Sequence, residues 1–250
     1  MEKFLFLDLD DTVFQTRRKC ASLEQATPAA YALSGEPSSY YLPKQKTLLA
    51  LLHEQWRIIP TTARTQAAYA RVDLAIPCND GVILNHGATI LDEKGQEDAQ
   101  WRAYLEPKLA VVQVFFGELK QAIEQYAEQH NIELLVRIIH EAGLDFYVEV
   151  RHHQAIYAEL QTVLVHCVQP LLEKFTVFQA YLNSNSLTIL PRSVNKSHAV
   201  NYRLDALKQQ YGEILTMGMG DSLSDAPFIA QCDYAMIPQG AQLHQQLIEY

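Results

Sequence analysis

Near its start the chain runs Phe4-Leu5-Phe6-Leu7 and then breaks at Asp8-Leu9-Asp10-Asp11-Thr12. So short a run of large apolar residues fits a strand buried on both faces, as in a parallel sheet covered by helices. Side chains alternate along a strand, so Asp8 and Asp10 fall on one side at its carboxyl end. Open α/β sheets place their ligands at that end. Two carboxylates this close repel each other and lose hydration at a sheet mouth, and a divalent cation relieves both costs. The plainer alternative is a polar strand end capped by Thr12.

Three further fragments weaken that alternative. An apolar run ends in Gly218-Met219-Gly220, followed by Asp221 and Asp225. These carboxylates, four residues apart, share one face if the loop winds into a helix. Pro227 suits the first turn of the helix that follows. Mid-chain, Arg57-Ile58-Ile59-Pro60 is an apolar run broken by Thr61 and Thr62. Lys196 heads a helix-patterned segment, where the helix dipole disfavours a cation unless an anion lies close by. Gly218 and Gly220 begin a dinucleotide fingerprint, but its third glycine is missing and that reading fails.

With these residues in order, the chain resembles the haloacid dehalogenase superfamily of phosphohydrolases. Within it, the chain is similar to the Cof-like branch that includes sucrose-phosphatase-like and phosphomannomutase-like enzymes. The four family motifs match as Asp8-Leu9-Asp10-Asp11-Thr12, Thr62 before Arg64, Lys196, and Gly220-Asp221 with Asp225. Ala63 stands where the family often has Gly, and Ser224 where it often has Asn. Asn85-His86-Gly87-Ala88 stands where Asn-Gly-Ala often leads into the cap. None of these departures removes a reacting group.

The resemblance implies a magnesium-dependent phosphatase acting on a small phosphate monoester, with a sugar phosphate as the expected class. In that scheme Asp8 is the nucleophile, and Asp10 protonates the leaving group and then deprotonates water. Asp8, the main-chain carbonyl of Asp10 and Asp221 bind Mg2+, with Asp225 supporting through water or by orienting Lys196. Thr62 donates to a phosphoryl oxygen, Lys196 offsets charge, and Arg64 either touches substrate or forms an exposed ion pair. Arg137, His140, Arg151, His152 and Lys174 are candidates to reach a sugar or an acid, each against a solvated sheet-face reading. The alternatives are a phosphomutase of the phosphomannomutase type, which returns the phosphoryl group to a second hydroxyl, and a catalytically silent binding module.

The rest of the sequence sets the frame. A chain of 250 residues that is 48% hydrophobic can bury one large core, or a core plus a smaller module. A net charge of −9 disfavours nucleic acid and anionic membranes as partners. Cys20, Cys78, Cys167 and Cys232 form no metal-like spacing, and Asp8 cuts short any leader-like apolar stretch. A cytoplasmic protein is expected; oligomeric state is open.

Strands and helices alternate through residues 1–84 and again through 191–250, which predicts a doubly wound, Rossmann-like parallel sheet. Residues 85–190 read as helix-strand-strand-helix-strand-strand, an inserted α+β cap domain of αββαββ order. Within it a helical pattern covers 96–130, with Pro107 and Gly117 as expected breaks, and another covers 154–168, ending before Pro170. Residues 13–43 read as loop-like, either a flap beside the site or a surface loop.

Overall fold

β1 (Glu2–Leu7) is the expected buried strand: Phe4, Leu5, Phe6 and Leu7 are fully enclosed. Phe4 and Phe6 enter one apolar cluster with Ile59, Val200, Leu204 and Phe228. Leu5 and Leu7 enter another with Tyr41, Leu49, Leu52 and Met219. Both faces of the strand are therefore covered, as its run of apolar residues demands. The computed structural model describes residues 1–248.

Residues 13–43 are not loop. They form an antiparallel sheet of β2 (Gln15–Thr16), β3 (Thr27–Tyr31) and β4 (Pro37–Tyr41), in the order β2-β4-β3. Register shifts between Pro28 and Tyr31 break the alternation that would have marked β3 as a strand. Pro28 lies on an outer strand and Pro37 opens its own, the positions a sheet allows proline.

α1 (Pro43–His53) begins with proline, and the Gln45 side chain accepts the Leu42 N–H at 2.9 Å. It buries Leu49 and Leu52 and leads into β5 (Arg57–Pro60), which pairs in parallel with β1. α2 (Gln66–Tyr69) is a single turn capped by the Thr65 hydroxyl. β6 (Val82–Leu84) and β7 (Thr89–Leu91) form a hairpin, tied to the end of β5 by a Thr61–Ile83 bridge.

The inserted module follows. α3 (Ala99–Ala110) and α4 (Gln113–His130) replace the single helical pattern of residues 96–130. The break falls at Val111-Val112, whereas Pro107 and Gly117 both lie inside helices. β8 (Leu134–Glu141) and β9 (Leu144–His152) turn at Ala142-Gly143, both with positive φ, as a two-residue hairpin requires. α5 (Tyr157–Val163) passes through a π-helical turn at 164–168 into α6 (Gln169–Lys174), so the helix does not end before Pro170. The wider turn precedes the proline, which lacks the N–H for a regular ladder. β10 (Phe178–Asn183) and β11 (Ser186–Pro191) complete an antiparallel sheet of order β10-β11-β9-β8.

α7 (Lys196–Tyr211), capped by the Asn195 side chain, returns the chain to the parallel sheet. β12 (Ile214–Met219), α8 (Ala226–Ile229), β13 (Tyr234–Met236) and α9 (Gln242–Ile248) follow. The parallel order is β13-β12-β1-β5. The molecule is thus an α/β protein with a parallel sheet and an inserted α+β module. Its two compact units are Met1–Arg102 with the segment from Asn195 onward, and Ala103–Val194. Residues 85–102 group with the first unit rather than the module, because β7 pairs with β6 and the Trp101 indole donates to the Gly87 carbonyl at 3.0 Å. Among the described residues no helix is long and apolar enough to cross a membrane.

Phe6 tests the double coverage. Phe6→Ala should lower stability by about 3–5 kcal/mol in a denaturant titration, while Leu33→Ala at an exposed position should stay within about 0.5 kcal/mol. A small effect at Phe6 would mean that the sheet is not buried on both sides.

Candidate active site

The site gathers where β1, β12 and α7 end or begin. Asp8 follows β1, and its N–H donates to the Met219 carbonyl at 2.9 Å, so the loops after β1 and β12 leave the sheet side by side. Lys196 is the first residue of α7 and is 3% exposed. Its Nζ donates to Asp8 Oδ1 and to Asp225 Oδ1, each at 2.6 Å. The second Asp8 oxygen accepts from the Thr12 hydroxyl at 2.8 Å. That hydroxyl lies 3.4 Å from Asp221 Oδ1.

Asp225 is fully buried and accepts three hydrogen bonds. Its Oδ2 accepts from the Ser222 N–H at 3.0 Å and the Ser222 hydroxyl at 2.7 Å, while Oδ1 holds Lys196. Ser222 is the residue that sequence reading passed over; its signal was the Ser-x-x-Asp spacing. Two glycines make the approach possible. A Cβ on Gly220 would lie 2.6 Å from the Asp225 Cβ, and one on Gly87 would lie 2.5 Å from the Asn195 carbonyl, just ahead of Lys196. Gly220, which looked like part of a cofactor loop, is small so that Asp225 can pack against it.

Asp10 goes elsewhere. Its side chain is 44% exposed and takes a two-point ion pair from Arg64, Nε to Oδ2 and Nη2 to Oδ1, both at 2.7 Å. The guanidinium lies 5.4 Å from the Phe14 ring centroid. Of the two readings for Arg64, the ion pair is the one present, although the arginine is only 16% exposed. Asp11, at φ 63°, turns its carboxylate to Lys19 at 2.6 Å, which ties the β2-β4-β3 segment to this loop. Thr62 is buried beyond the end of β5, and its hydroxyl oxygen accepts the Arg64 N–H at 3.2 Å, leaving the O–H to donate.

Oxygens of Asp8, Asp221 and Asp225 all lie within 4.8 Å of one another. Three carboxylates face one ammonium here, a deficit of two positive charges. Burial pushes Asp8 up to about 7, opposed by Lys196 and reinforced by Asp225 and Asp10. Burial, then Asp8 and Asp225, push Asp221 up to about 8. Burial works against the Lys196 charge, but Asp225 and Asp8 outweigh it and hold the ammonium above its ordinary value. A buried, all-oxygen donor set short of two positive charges fits a hard divalent cation. The Asp10 carboxylate is not part of that set.

The chain was compared with known proteins. A family model described as sucrose-6F-phosphate phosphohydrolase matches residues 1–244. No match was found among curated proteins. The sucrose-phosphatase of Synechocystis sp. PCC6803, solved with sucrose and phosphate, superposes with a TM-score of 0.56 at 15% identity, covering 100% of this chain and 97% of that one. The C-terminal domain of the C. albicans trehalose-6-phosphate phosphatase gives 0.55 at 15% identity, covering 91% and 72%. A Thermoplasma acidophilum protein gives 0.53 at 13% identity, covering 100% and 98%. At these identities the likeness shows a shared fold.

The raised carboxyls set a pH dependence. With Asp221 held near 8 against 3.8, the folded chain keeps a proton that the unfolded chain releases, so stability falls as pH rises between those values. Without metal, the melting temperature should therefore drop from pH 5 to pH 8.5 more steeply in the native protein than in Asp221→Asn. Added Mg2+ should raise it more at pH 8.5 than at pH 5. Parallel thermal scans check this; equal slopes would show that the cluster carries no such strain.

Proposed function

This chain belongs to the sucrose-6F-phosphate phosphohydrolase family of the haloacid dehalogenase superfamily, and on that premise we propose that it hydrolyses a small sugar phosphate through a phosphorylated Asp8. The family makes it a phosphatase, a phosphoric monoester hydrolase. The observation that carries the mechanism is Asp8 itself, a buried carboxylate fixed at both oxygens by Lys196 and Thr12 at the mouth of a parallel sheet.

In the first half-reaction an Asp8 oxygen attacks phosphorus and the bond to the sugar oxygen breaks, with Asp10 giving that oxygen its proton. In the second, water attacks the phosphorus of the acyl phosphate, Asp10 takes the proton of the water, and Asp8 leaves as carboxylate. Lys196 and the Thr62 hydroxyl stabilise the charge that gathers on the phosphoryl oxygens. Mg2+ held by Asp8, Asp221 and the main-chain carbonyl of Asp10 would neutralise the same charge, with Asp225 acting through its hold on Lys196.

The Arg64 fork occupies both Asp10 oxygens, so Asp10 can take part in proton transfer only once that pair opens. A phosphate dianion is a stronger partner for a guanidinium, so the arriving ester would draw Arg64 away and leave Asp10 free to take up, from solvent or from the monoprotonated ester, the proton it passes to the sugar oxygen. The sugar assignment is supported by the family and by the sucrose-phosphate and trehalose-phosphate enzymes that share the fold.

Phosphate release should be measured over a panel of esters that includes sucrose 6F-phosphate and trehalose 6-phosphate, with Mg2+ and with excess chelator. Turnover should need Mg2+ and no sugar bisphosphate activator, which separates hydrolysis from a mutase. Asp8→Asn should lower kcat by about 10^4-fold or more, and Asp10→Asn by about 10^2- to 10^4-fold. Retained turnover in Asp8→Asn would sink the covalent route.

A further inference from the structure

The antiparallel sheet of the second unit has two unlike faces. Val136, Phe146, Val148, Val150, Leu187 and Ile189 are buried at alternate positions and form its apolar side. On the other side, pairing across the strands sets Arg137 beside Glu149, Glu149 beside Thr188 and Thr188 beside Tyr181. Arg151 follows two residues after Glu149 and so shares that side.

Glu149 is buried at 9% exposure. Arg151 donates to its Oε1 through Nε at 2.9 Å and Nη2 at 2.7 Å, and Arg137 Nη2 donates to Oε2. Burial works to raise the Glu149 carboxyl, but the two guanidinium groups outweigh it and hold the group below its ordinary value. Both arginine side chains remain about half exposed, at 49% and 51%.

Stability alone gives little reason for this arrangement, since buried ion triads are often matched or bettered by apolar residues of similar volume. Orientation gives a better one. Each guanidinium has five donors in a rigid fork, and Glu149 engages one from Arg137 and two from Arg151. The remaining edges belong to two half-exposed groups whose planes are set by one buried carboxylate, with a net positive charge. Such a pair matches the two-point geometry of a carboxylate or phosphoryl group.

We propose that Arg137 and Arg151, held in place by Glu149, form an anion-binding site on the second unit that takes a carboxylate or phosphoryl group of a small molecule. The site stands on this unit alone; that the anion belongs to the ester being hydrolysed rests on the proposed function.

Calorimetric titration of the full chain with malonate, which carries no phosphoryl group, tests the site directly. The native protein should bind malonate and Arg137→Gln should weaken binding by about tenfold or more. Arg137→Lys should recover part of the loss. Arg137→Gln is the suitable variant because Arg151 still gives Glu149 two donors; a thermal scan checks its fold. Equal binding by native protein and Arg137→Gln, or none by the native protein, overturns the proposal and leaves a structural triad.

Turnover then separates the source of the anion. A preference for 3-phosphoglycerate over glycerol 3-phosphate that Arg137→Gln abolishes makes the anion part of the ester. A preference unchanged by the variant, with malonate binding lost, makes it a separate ligand. If no ester is turned over, the hydrolase reading fails while the malonate result still decides the site.

Discussion

The Lys196 ammonium, out of water and bonded to Asp8 and Asp225 at 2.6 Å each, sets the terms for everything near it. Removing one partner from such a buried pair costs about 3–5 kcal/mol, because the survivor is left charged and unsolvated. The three side chains come from the end of β1, the start of α7 and the loop before α8, so the ammonium fixes where those elements meet. One cation does not balance three carboxylates. The remainder appears as the raised Asp8 and Asp221, in a cluster whose three carboxylates could together hold a metal ion.

A second set of carboxylates lies just beyond the first and is handled differently. Asp10 and Asp11 are paired with Arg64 and Lys19, and in each pair one side chain, Asp10 or Lys19, is open to water. Five acidic groups close together thus divide into a buried set short of positive charge and an outer set held by arginine and lysine. The buried set is suited to a fixed role. The outer pairs are partly open to solvent, which screens them and lowers the cost of parting them.

Much of this was legible in the residues. The apolar run of β1 gave the sheet type, and the Asp, Thr, Lys and Asp fragments gave the order of the site, because each sits where a strand ends or a helix begins. What stayed hidden has physical causes. β3 was obscured by its register shifts and by Pro28, and the π-helical turn before Pro170 let a helix continue where proline usually ends one. The Arg64–Asp10 fork spans 54 residues and depends on side-chain reach, which periodicity does not encode. Gly220 was visible as a glycine, but only its distance to Asp225 shows what its lack of a side chain serves.

The order β13-β12-β1-β5 puts the first strand made in the interior of the sheet. β5 reaches it early in synthesis, but β12 comes late, with Leu7 pairing to Met219. For most of that time one edge of a strongly apolar strand has no partner, the condition under which nascent chains join edge to edge. Asp8, Asp10 and Asp11 follow directly after it. Charges flanking an apolar strand discourage such pairing, so these three carboxylates also guard the growing chain against its neighbours.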